Sequence, residues 1–441
     1  MHTFPQLRKI ERKYGDRLIV VGVHSPKFPA ERETANLREA VLRYRIEHPV
    51  VNDRDFAVWQ RFGGRAWPTL IFIDPDGRVI GKHEGELPFE KFDQLVGGML
   101  EEFEARGVLN PAASPVALEA IREPGHTLSF PGKVLAADDA LYIADTNHHR
   151  VVVAALDGSI QRAFGGGEPA LIDGPASQAA FQQPQGLARS GASLYVADTE
   201  NHTIRSIDLD TGMVTTLAGT GEQARVADAG GPGRSTPLSS PWDLALSGPL
   251  LYIAMAGTHQ IWSLDLESGT VAPFAGTGRE GLLDGALDRA WFAQSSGLTL
   301  ADGHLYVADA EVSAVRDIDL RGNHVSTLVG EDLFVFGDRD GEGDAVRLQH
   351  PLGISARDGT IFIADSYNNK IKRLEPGRRA VQTWLGSGAA GRADGPGPSA
   401  SFREPGGVCA GRAGLYIADT NNHRITLADW ERGEVRTLIG D

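Results

Sequence analysis

Cysteine is almost absent from this sequence. Cys409 is the only one among 441 residues, so no disulfide can form within the chain and no oxidising compartment is required. Long apolar runs are missing as well, since none approaches the roughly eighteen residues that a membrane-spanning helix needs. The N-terminal residues do not have the pattern of a secretory signal. Provided that Met1 is the true start, these absences indicate a cytoplasmic protein with no membrane partner.

The sequence also has fewer basic than acidic residues. The chain has 43 Lys and Arg against 58 Asp and Glu, which gives a net charge of −15 at pH 7. Nucleic-acid binding needs a concentrated basic surface that neutralises phosphates, so we expect no nucleic-acid partner. Glycine, in contrast, is abundant at 53 residues and favours a turn-rich β architecture. The length of the chain exceeds what one ordinary core accommodates and predicts two or more domains.

Residues 1–106 alternate between helical and strand patterns, which is typical of an α/β layer arrangement. Residues 107–127 contain three prolines and many small side chains, so we interpret them as a linker. The predicted helices of the first part are 4–14, 31–46, 55–62 and 88–105, and the predicted strands are 18–23, 49–53, 69–73 and 78–83.

Residues 128–441 repeat one pattern six times. Each copy holds an aromatic residue in a strand pattern, and successive copies are 53 to 57 residues apart. A fixed period of this length indicates supersecondary units that bury their faces against one another. Each copy reads as four short strands, which in the second copy are 186–190, 194–198, 203–209 and 213–219. We therefore predict a six-bladed β-propeller. The six aromatic residues are Tyr142, Tyr195, Tyr252, Tyr306, Phe362 and Tyr416.

The recurring Tyr-[IV]-Ala-Asp-Thr-x-Asn-His pattern resembles the NHL repeat. Copy three departs from it with Met255 in the Asp position, and copy four lacks the Asn-His pair. We expect the Asp to accept hydrogen bonds from the backbone of the following turn, and the Asn-His positions to pair polar groups between strands or neighbouring blades. The alternative is that these side chains line a ligand or metal site. The retained acids are Asp145, Asp198, Asp309, Asp365 and Asp419.

The innermost strand of each blade faces the central channel, and its composition bears on that alternative. These strands read GKVLA, PQGLA, PWDLA, SSGLT, PLGIS and PGGVC, in which Asp243 is the only acidic residue and histidine is absent. An acid-rich or His-rich channel, as in propeller lactonases and lyases, is therefore disfavoured. The Asp-Gly pairs that begin at Asp173, Asp284 and Asp394 are interpreted as turns rather than calcium ligands.

The stretch 67-WPTLIFIDPDGRVIG-81 resembles the substrate-binding edge of a thioredoxin-like domain. Thioredoxins place Cys-x-x-Cys at the start of a helix, where the helix dipole lowers the thiol pKa, and a proline follows five residues later. If Pro5 is that proline, the motif would fall immediately before Met1, together with a central strand of the sheet. We therefore expect a domain that is incomplete at its N-terminus, through a start codon placed too late or a truncation. The alternative is a degenerate, non-catalytic domain.

The order of the two domains resembles the NHL-repeat-containing protein 2 family. The motifs 20-VVGVHSPKFPAE-31, 48-HPVVND-53 and 67-WPTL-70 support this resemblance. Members of that family commonly continue into a β-rich C-terminal segment, which does not follow 438-LIGD-441 in this sequence.

The resemblance implies a cis bond before Pro68 and a substrate-binding rim made of Trp67, Pro68 and Thr69. The alternative is that Trp67 is a core residue and Pro68 only starts a strand. His24 and His48 lack the spacing of metal ligands and are interpreted as structural. No catalytic residue, metal ligand or cofactor is predicted within these residues, and Cys409 is expected to be a small buried residue of the sixth blade.

Three functions follow from these observations. The first is a thiol–disulfide oxidoreductase or redox-linked adaptor whose thiols precede Met1, with the propeller holding a protein or peptide client. The second is a non-catalytic interaction scaffold with a vestigial thioredoxin fold. The third, a propeller hydrolase or lyase, is disfavoured by the channel strands. The sequence as written predicts no self-contained redox activity, because two thiols are needed and one is present. The client and the oligomeric state are left open.

Overall fold

The structure, a computed structural model, describes residues 3–109, 118, 125–224 and 229–441. The chain divides into two compact units, Met1–Pro124 and Gly125–Asp441. Most of the predicted linker, 107–127, lies outside the described residues. The domain boundaries 1–106, 107–127 and 128–441 therefore stay predictions.

The N-terminal unit is an α/β arrangement whose core lies between two helices and the strands. Apolar side chains of the first and last helices, among them Ile10 and Val96, pack together and against Leu70 and Phe72 of a strand. The helices are α1 Thr3–Tyr14, α2 Thr34–Arg43, α3 Ala57–Arg61 and α4 Phe89–Ala105, and the strands are β1 Gly22–His24, β2 Val50–Asn52, β3 Thr69–Ile73 and β4 Val79–Glu84.

The sheet of this unit is divided into two separate pairs. Strand β1 pairs in parallel with β2, and β3 pairs antiparallel with β4, but no ladder joins β1 to β3 among the described residues. The predicted strand 18–23 is regular only from Gly22 onward, because residues 18–21 have no described neighbouring strand with which to form a ladder. Val21, Val23 and Ile73 remain exposed as a result.

The C-terminal unit is the predicted six-bladed propeller. Six antiparallel sheets follow one another along the chain, and each is built from one continuous stretch. Blade 1 contains β5 Pro131–Ala136, β6 Leu141–Asp145, β7 Arg150–Ala154 and β8 Ile160–Gly165; blade 2 contains β9 Gly174–Pro175, β10 Pro184–Ser190, β11 Ser193–Asp198, β12 Thr203–Asp208 and β13 Met213–Ala218; blade 3 contains β14 Gly231–Pro232, β15 Pro241–Ser247, β16 Leu250–Met255, β17 Gln260–Asp265 and β18 Thr270–Ala275.

The second half of the ring repeats the same plan. Blade 4 contains β19 Gly285–Ala286, β20 Ser295–Ala301, β21 His304–Asp309, β22 Ala314–Asp319 and β23 His324–Val329; blade 5 contains β24 Gly341–Glu342, β25 Gly353–Arg357, β26 Thr360–Asp365, β27 Lys370–Glu375 and β28 Ala380–Leu385; blade 6 contains β29 Gly395–Pro396, β30 Gly407–Ala410, β31 Gly414–Asp419, β32 Arg424–Asp429 and β33 Glu434–Ile439. The inner strands are β5, β10, β15, β20, β25 and β30.

Five blades have a short fifth strand that four-strand repeats do not predict. In blade 2, Gly174–Pro175 pairs with the outer strand β13. The preceding Asp173 binds both the backbone N–H and the hydroxyl of Thr216 on that strand, which holds the connection against the blade edge. Blade 1 has four strands among the described residues.

The propeller core lies between blades rather than within them. One cluster of buried apolar side chains fills each of the six junctions, including the junction between blades 6 and 1. The second strand is buried along its whole length in blades 1 and 6, and in each other blade all but one or two of its residues are buried. Blades that bury a face only against a neighbour form a stable structure when the ring closes.

Candidate functional site

The predicted rim forms the exposed end of the N-terminal unit beside strand β3. The bond between Trp67 and Pro68 is cis, as the resemblance implies. Trp67 is 49% exposed, so it is not the core residue of the alternative interpretation. Thr69 begins β3, and its hydroxyl donates a hydrogen bond of 2.7 Å to the Ala66 carbonyl.

Contacts with Trp59 and Ser25 fix the orientation of the Trp67 side chain. Its ring stacks on Trp59, with 4.5 Å between ring centroids and 30° between ring planes. Its indole N–H donates a hydrogen bond of 2.9 Å to the Ser25 carbonyl. Gly64 allows the close approach of Trp59, since a Cβ there would lie 2.6 Å from the indole ring. An aromatic surface is thus presented to solvent in one orientation.

The buried carboxylate of Asp53 holds in place the two residues that contact Trp67, namely Trp59 and Ser25. Asp53 accepts hydrogen bonds of 2.9 Å from the backbone N–H groups of Val58 and Trp59, at the start of α3, and one of 2.8 Å from the Ser25 hydroxyl. Burial acts to raise the Asp53 pKa, but these hydrogen bonds outweigh it and hold the pKa below its usual range. Sequence reasoning missed Asp53. An acid between a strand pattern and a helix pattern is the helix-start signal that could have found it.

Strand β3 continues the rim as an open edge. One side of the strand pairs with β4, and the other side has no partner strand within residues 3–109. Trp67, Pro68 and Thr69 lie together at the start of this strand, where the Trp67 ring is exposed.

The single thiol belongs to the propeller unit, and the two candidate histidines belong to the N-terminal unit. Cys409 lies in the inner strand β30 of the propeller, where its sulfur accepts a hydrogen bond from the Ala136 N–H. Burial raises the pKa of this thiol to about 11, so it is not a thiolate at neutral pH. His48 lies 3.1 Å from Glu11, and burial lowers the pKa of His24. Among the described residues no group of three or more His, Cys, Asp and Glu side chains is placed to hold a metal ion.

The NHL motif connects neighbouring blades, as predicted. The residue after each strand-end turn has a φ between 50° and 54°, and its side chain accepts a hydrogen bond from a backbone N–H of the next blade. Residues that tolerate this left-handed conformation, histidine and asparagine above all, fill five of the six positions. The acceptors and donors are His149 and Gln183, His202 and Ser240, His259 and Gln294, Ser313 and His350, Asn369 and Glu404, and His423 and Phe130.

The repeated Asp has a role that differs from the predicted one. All five acids are fully buried, and each accepts a hydrogen bond from a backbone N–H sixteen residues earlier, in the preceding connection, not from the following turn. The following turn contributes a side chain instead, as when Asn201 donates to Asp198 at 2.8 Å. The donor is distant in sequence, so a local turn pattern could not identify it.

A buried cation completes four of the five acid sites, and at the fifth, Asp145, the cation is the partly exposed Arg150. Arg205 pairs with Asp198 at 2.8 Å and with Asp173 at 2.9 Å, and is itself fully buried. Arg316 and Arg424 repeat this arrangement with Asp284 and Asp394, so the predicted turn residues bind guanidinium groups rather than calcium. Burial raises the pKa of Asp198, Asp309 and Asp365 to about 6, against the attraction of their basic partners. These groups are therefore part of the blade structure.

The channel contains one group that sequence reasoning missed. Lys133 of the GKVLA strand is buried and lies 3.2 Å from Asp243, the acid that the composition singled out. The two residues occupy equivalent positions of two inner strands, and aligning those strands would have revealed the opposite charges.

Comparison with known proteins gives matches to both units. A family model described as a thioredoxin-like domain matches residues 2–99. NHL repeat-containing protein 2 of Bos taurus is 42% identical over 98% of this chain and 65% of its own length. Protein SUPPRESSOR OF QUENCHING 1, chloroplastic, of Arabidopsis thaliana is 42% identical over 100% of this chain and 44% of its own length. Thiol-disulfide oxidoreductase YkuV of Bacillus subtilis is 26% identical over 23% of this chain and 69% of its own length.

Two facts about extent accompany these matches. The chain spans slightly less than two thirds of the bovine protein and less than half of the Arabidopsis protein. Within the part of the chain that the structure describes, no helix has the length and apolar character needed to cross a membrane.

Proposed function

Because the chain belongs to the family of NHL repeat-containing protein 2, we propose that it is a redox-linked interaction protein, in which each unit binds a protein client in its own way. In this proposal the thioredoxin-like unit binds an extended client segment at Trp67, Pro68 and Thr69. The propeller supplies a rigid platform for a protein or peptide partner. The proposed location is the cytoplasm, which fits the single cysteine and is tested by imaging the tagged protein in its own cell.

The observation that carries the proposal is the fixed, half-exposed indole of Trp67 at the start of strand β3. Aromatic side chains with few rotatable bonds contribute large contact area at low entropic cost, and they are frequent among residues that dominate binding energy. The contacts with Trp59 and Ser25 hold the indole in place before any client arrives. Such pre-organisation lowers the cost of binding.

The test is binding of a defined extended peptide, the reduced and alkylated insulin B chain, measured by fluorescence anisotropy. Trp67→Ala is expected to weaken binding roughly tenfold, about 1.4 kcal/mol. Phe334→Ala is the matched control, because Phe334 is also an exposed aromatic residue, at 66%, but lies in the propeller. Equal binding by the wild type and both variants would remove the rim from the proposal.

The redox part of the proposal concerns thiols outside the 441 residues. Cys409 is unsuited to attack a disulfide, because it lies partly buried in an inner strand and the pKa of its thiol is raised to about 11. We expect the 441-residue chain to leave insulin disulfides intact, with Cys409→Ser behaving identically. Protein purified from its source should reduce insulin if it carries a Cys-x-x-Cys pair, and should lose that activity when the pair is replaced.

The alternative function is a non-catalytic scaffold with a vestigial thioredoxin fold. The half-exposed Trp67 is compatible with it, because binding through this rim needs no thiol. Client binding that persists unchanged after the thiols of the source protein are replaced, together with no insulin reduction, would select this alternative.

A further inference from the structure

One aligned position of the inner strands lies next to the central axis of the propeller. It is the third residue of the segments that begin at Pro131, Pro184, Pro241, Ser295, Pro351 and Pro405. Four blades have glycine at this position, and the other two have side chains of opposite charge. The six residues in blade order are Lys133, Gly186, Asp243, Gly297, Gly353 and Gly407. The composition of the axis is therefore one cation, one anion and four positions without a side chain.

The four glycines are required by the close approach of the inner strands. A Cβ at Gly186 would lie 2.4 Å from the Asp243 Cα, and a Cβ at Gly407 would lie 2.9 Å from the Lys133 Cα. A Cβ at Gly353 would lie 2.9 Å from the Gly407 Cα. Side chains at these positions would collide with neighbouring backbone, and their absence leaves the axis to Lys133.

The Lys133 side chain crosses the axis from blade 1 to the far side of the ring. Its Nζ donates hydrogen bonds to the Ser296 carbonyl of blade 4 at 2.7 Å and to the Leu352 carbonyl, at the entry to blade 5, at 2.5 Å. It lies 3.2 Å from the Asp243 carboxylate of blade 3. An ammonium group has three N–H donors, and these three oxygens satisfy all of them.

The Asp243 carboxylate also has hydrogen-bond partners at both of its oxygens. Asp243 accepts hydrogen bonds from the backbone N–H of Leu244 at 2.9 Å and of Leu298 at 3.0 Å, in addition to its contact with Lys133. The pair and its hydrogen bonds therefore connect blades 1, 3, 4 and 5 at one point.

We propose that Lys133 is a built-in axial cation, which neutralises Asp243 and closes the channel at the level of the inner strands. The ammonium group is surrounded by carbonyl and carboxylate oxygens, which are the ligands that hard cations prefer in proteins. A side chain thus occupies the place that a bound cation would need. Partners of the propeller consequently bind to its outer surfaces and do not enter the axis.

The two charges depend on each other. Burial lowers the pKa of Lys133 and raises the pKa of Asp243, so each charged form is disfavoured by its surroundings and supported by its partner. Lys133 is also unsuited to act as a nucleophile. A nucleophilic lysine needs an unshared electron pair and access to substrate, whereas all three donors of this ammonium group are used in hydrogen bonds. Its role is to stabilise the ring and to keep ligands out of the axis. This role is independent of the function proposed for the Trp67 rim.

The experiment removes the ammonium group and then supplies a free one. Lys133→Ala leaves the three oxygens around an unfilled volume, and the melting temperature of the propeller transition should fall by about 5–10 °C. Added ethylammonium chloride should restore several degrees to this variant and none to the wild type. Lys133→Met is the matched control, because it fills the volume with apolar atoms and should not respond to ethylammonium.

A second measurement keeps the proposal testable if Lys133→Ala does not fold. The double variant Lys133→Met, Asp243→Leu removes both charges and should melt at least 3 °C above Lys133→Met alone. Hydrogen exchange of the peptide 295–301, which contains the Leu298 N–H bound to Asp243, should be faster in Lys133→Met than in the wild type. Unchanged melting in both single variants, or an equal response of Lys133→Met to ethylammonium, would overturn the proposal.

Discussion

A single ring nitrogen carries the backbone contact at four of the six blade junctions. His149, His202, His259 and His423 each accept through Nδ1. A histidine accepts a hydrogen bond at Nδ1 only when that nitrogen carries no proton, so these contacts need neutral imidazole. His423 is the clearest case, because burial first and the neighbouring His126 second lower its pKa to about 4.

We predict that His423 makes stability depend on pH between about 4 and 6.5. Its pKa in the folded protein lies below the usual value, so the unfolded chain binds more protons in this range. The contribution of neutral His423 to the free energy of unfolding is complete above about pH 6.5 and is lost as the pH falls to about 4. We expect a loss of about 1–2 kcal/mol, because the side chain is only partly buried.

The matched variant is His423→Asn, since Asn369 provides the equivalent acceptor in blade 5 at 2.9 Å. Its free energy of unfolding in urea should change less between pH 7 and pH 4.5 than that of the wild type. An NMR titration of His423 should give a pKa near 4. A normal histidine pKa, or identical pH dependence of the two proteins, would contradict the prediction.

The sequence could predict the side chain that accepts this hydrogen bond, but neither its donor nor its geometry. The repeated Asn-His positions indicated polar contacts between blades, which is correct. The left-handed backbone at His423 and the identity of its donor, Phe130 of the first blade, depend on ring closure. Contacts between residues 293 positions apart leave no local pattern.

At the scale of the blade, blade 3 shows what replaces the buried ion pair. Met255 stands where other blades have Asp, and Trp262 stands where blade 2 has Arg205. Gly230 stands in place of the outer acid Asp173. Acid and base are thus lost together, which is consistent with the high cost of one buried charge without the other.

We predict that the double variant Asp198→Met, Arg205→Trp destabilises the propeller less than Arg205→Met alone. The single change leaves Asp198 fully buried without its cation and should cost about 3–5 kcal/mol. The double change copies blade 3, and Asp173 can remain solvated because it is only partly buried. Urea unfolding midpoints provide the comparison. A double variant less stable than the single one would show that the pair is net stabilising.

The two open strand edges of the N-terminal unit predict self-association of the 441-residue chain. Unpaired edges with exposed apolar side chains are templates for pairing with another chain. Val21→Lys, Val23→Lys should shift association to roughly tenfold higher protein concentration. Leu95→Lys is the control, because Leu95 is similarly exposed but lies on helix α4. Sedimentation velocity that shows no difference between these variants would exclude the edges as the cause.

The strand predicted over 18–23 shows what an apolar pattern cannot predict about a strand. Its apolar run indicated a strand covered on both faces, yet only Gly22–His24 is regular. Side chains such as Val20 pack on the helices as expected, but residues 18–21 lack a described neighbour. A strand pattern identifies a segment that is able to pair and does not identify its partner.

For the whole molecule, the domain boundaries give a direct prediction. Limited trypsin digestion should cut first within the predicted linker 107–127, which contains Arg122, and should leave a resistant fragment that contains residues 128–441. The propeller buries six junctions in a closed ring, whereas the N-terminal unit has open edges, so the latter should be degraded sooner. Mass spectrometry identifies the fragments. A first cut within a blade would refute these boundaries.

The repeat count was the most reliable inference from sequence because it rested on a period. Six aromatic residues at near-constant spacing fix six blades, whichever side chains fill the loops. The axial pair of Lys133 and Asp243 was not found in the same way, since its members lie 110 positions apart and break the repeat instead of following it.

The two ends of the propeller meet. Thr127 donates a backbone hydrogen bond of 3.0 Å to Asp441, and every blade is made from a continuous stretch of chain. The ring consequently has no structurally privileged origin. A gene rearranged so that translation begins at any of the connections between blades would still encode six intact blades, and duplication of one repeat would add a whole blade without dividing an existing one.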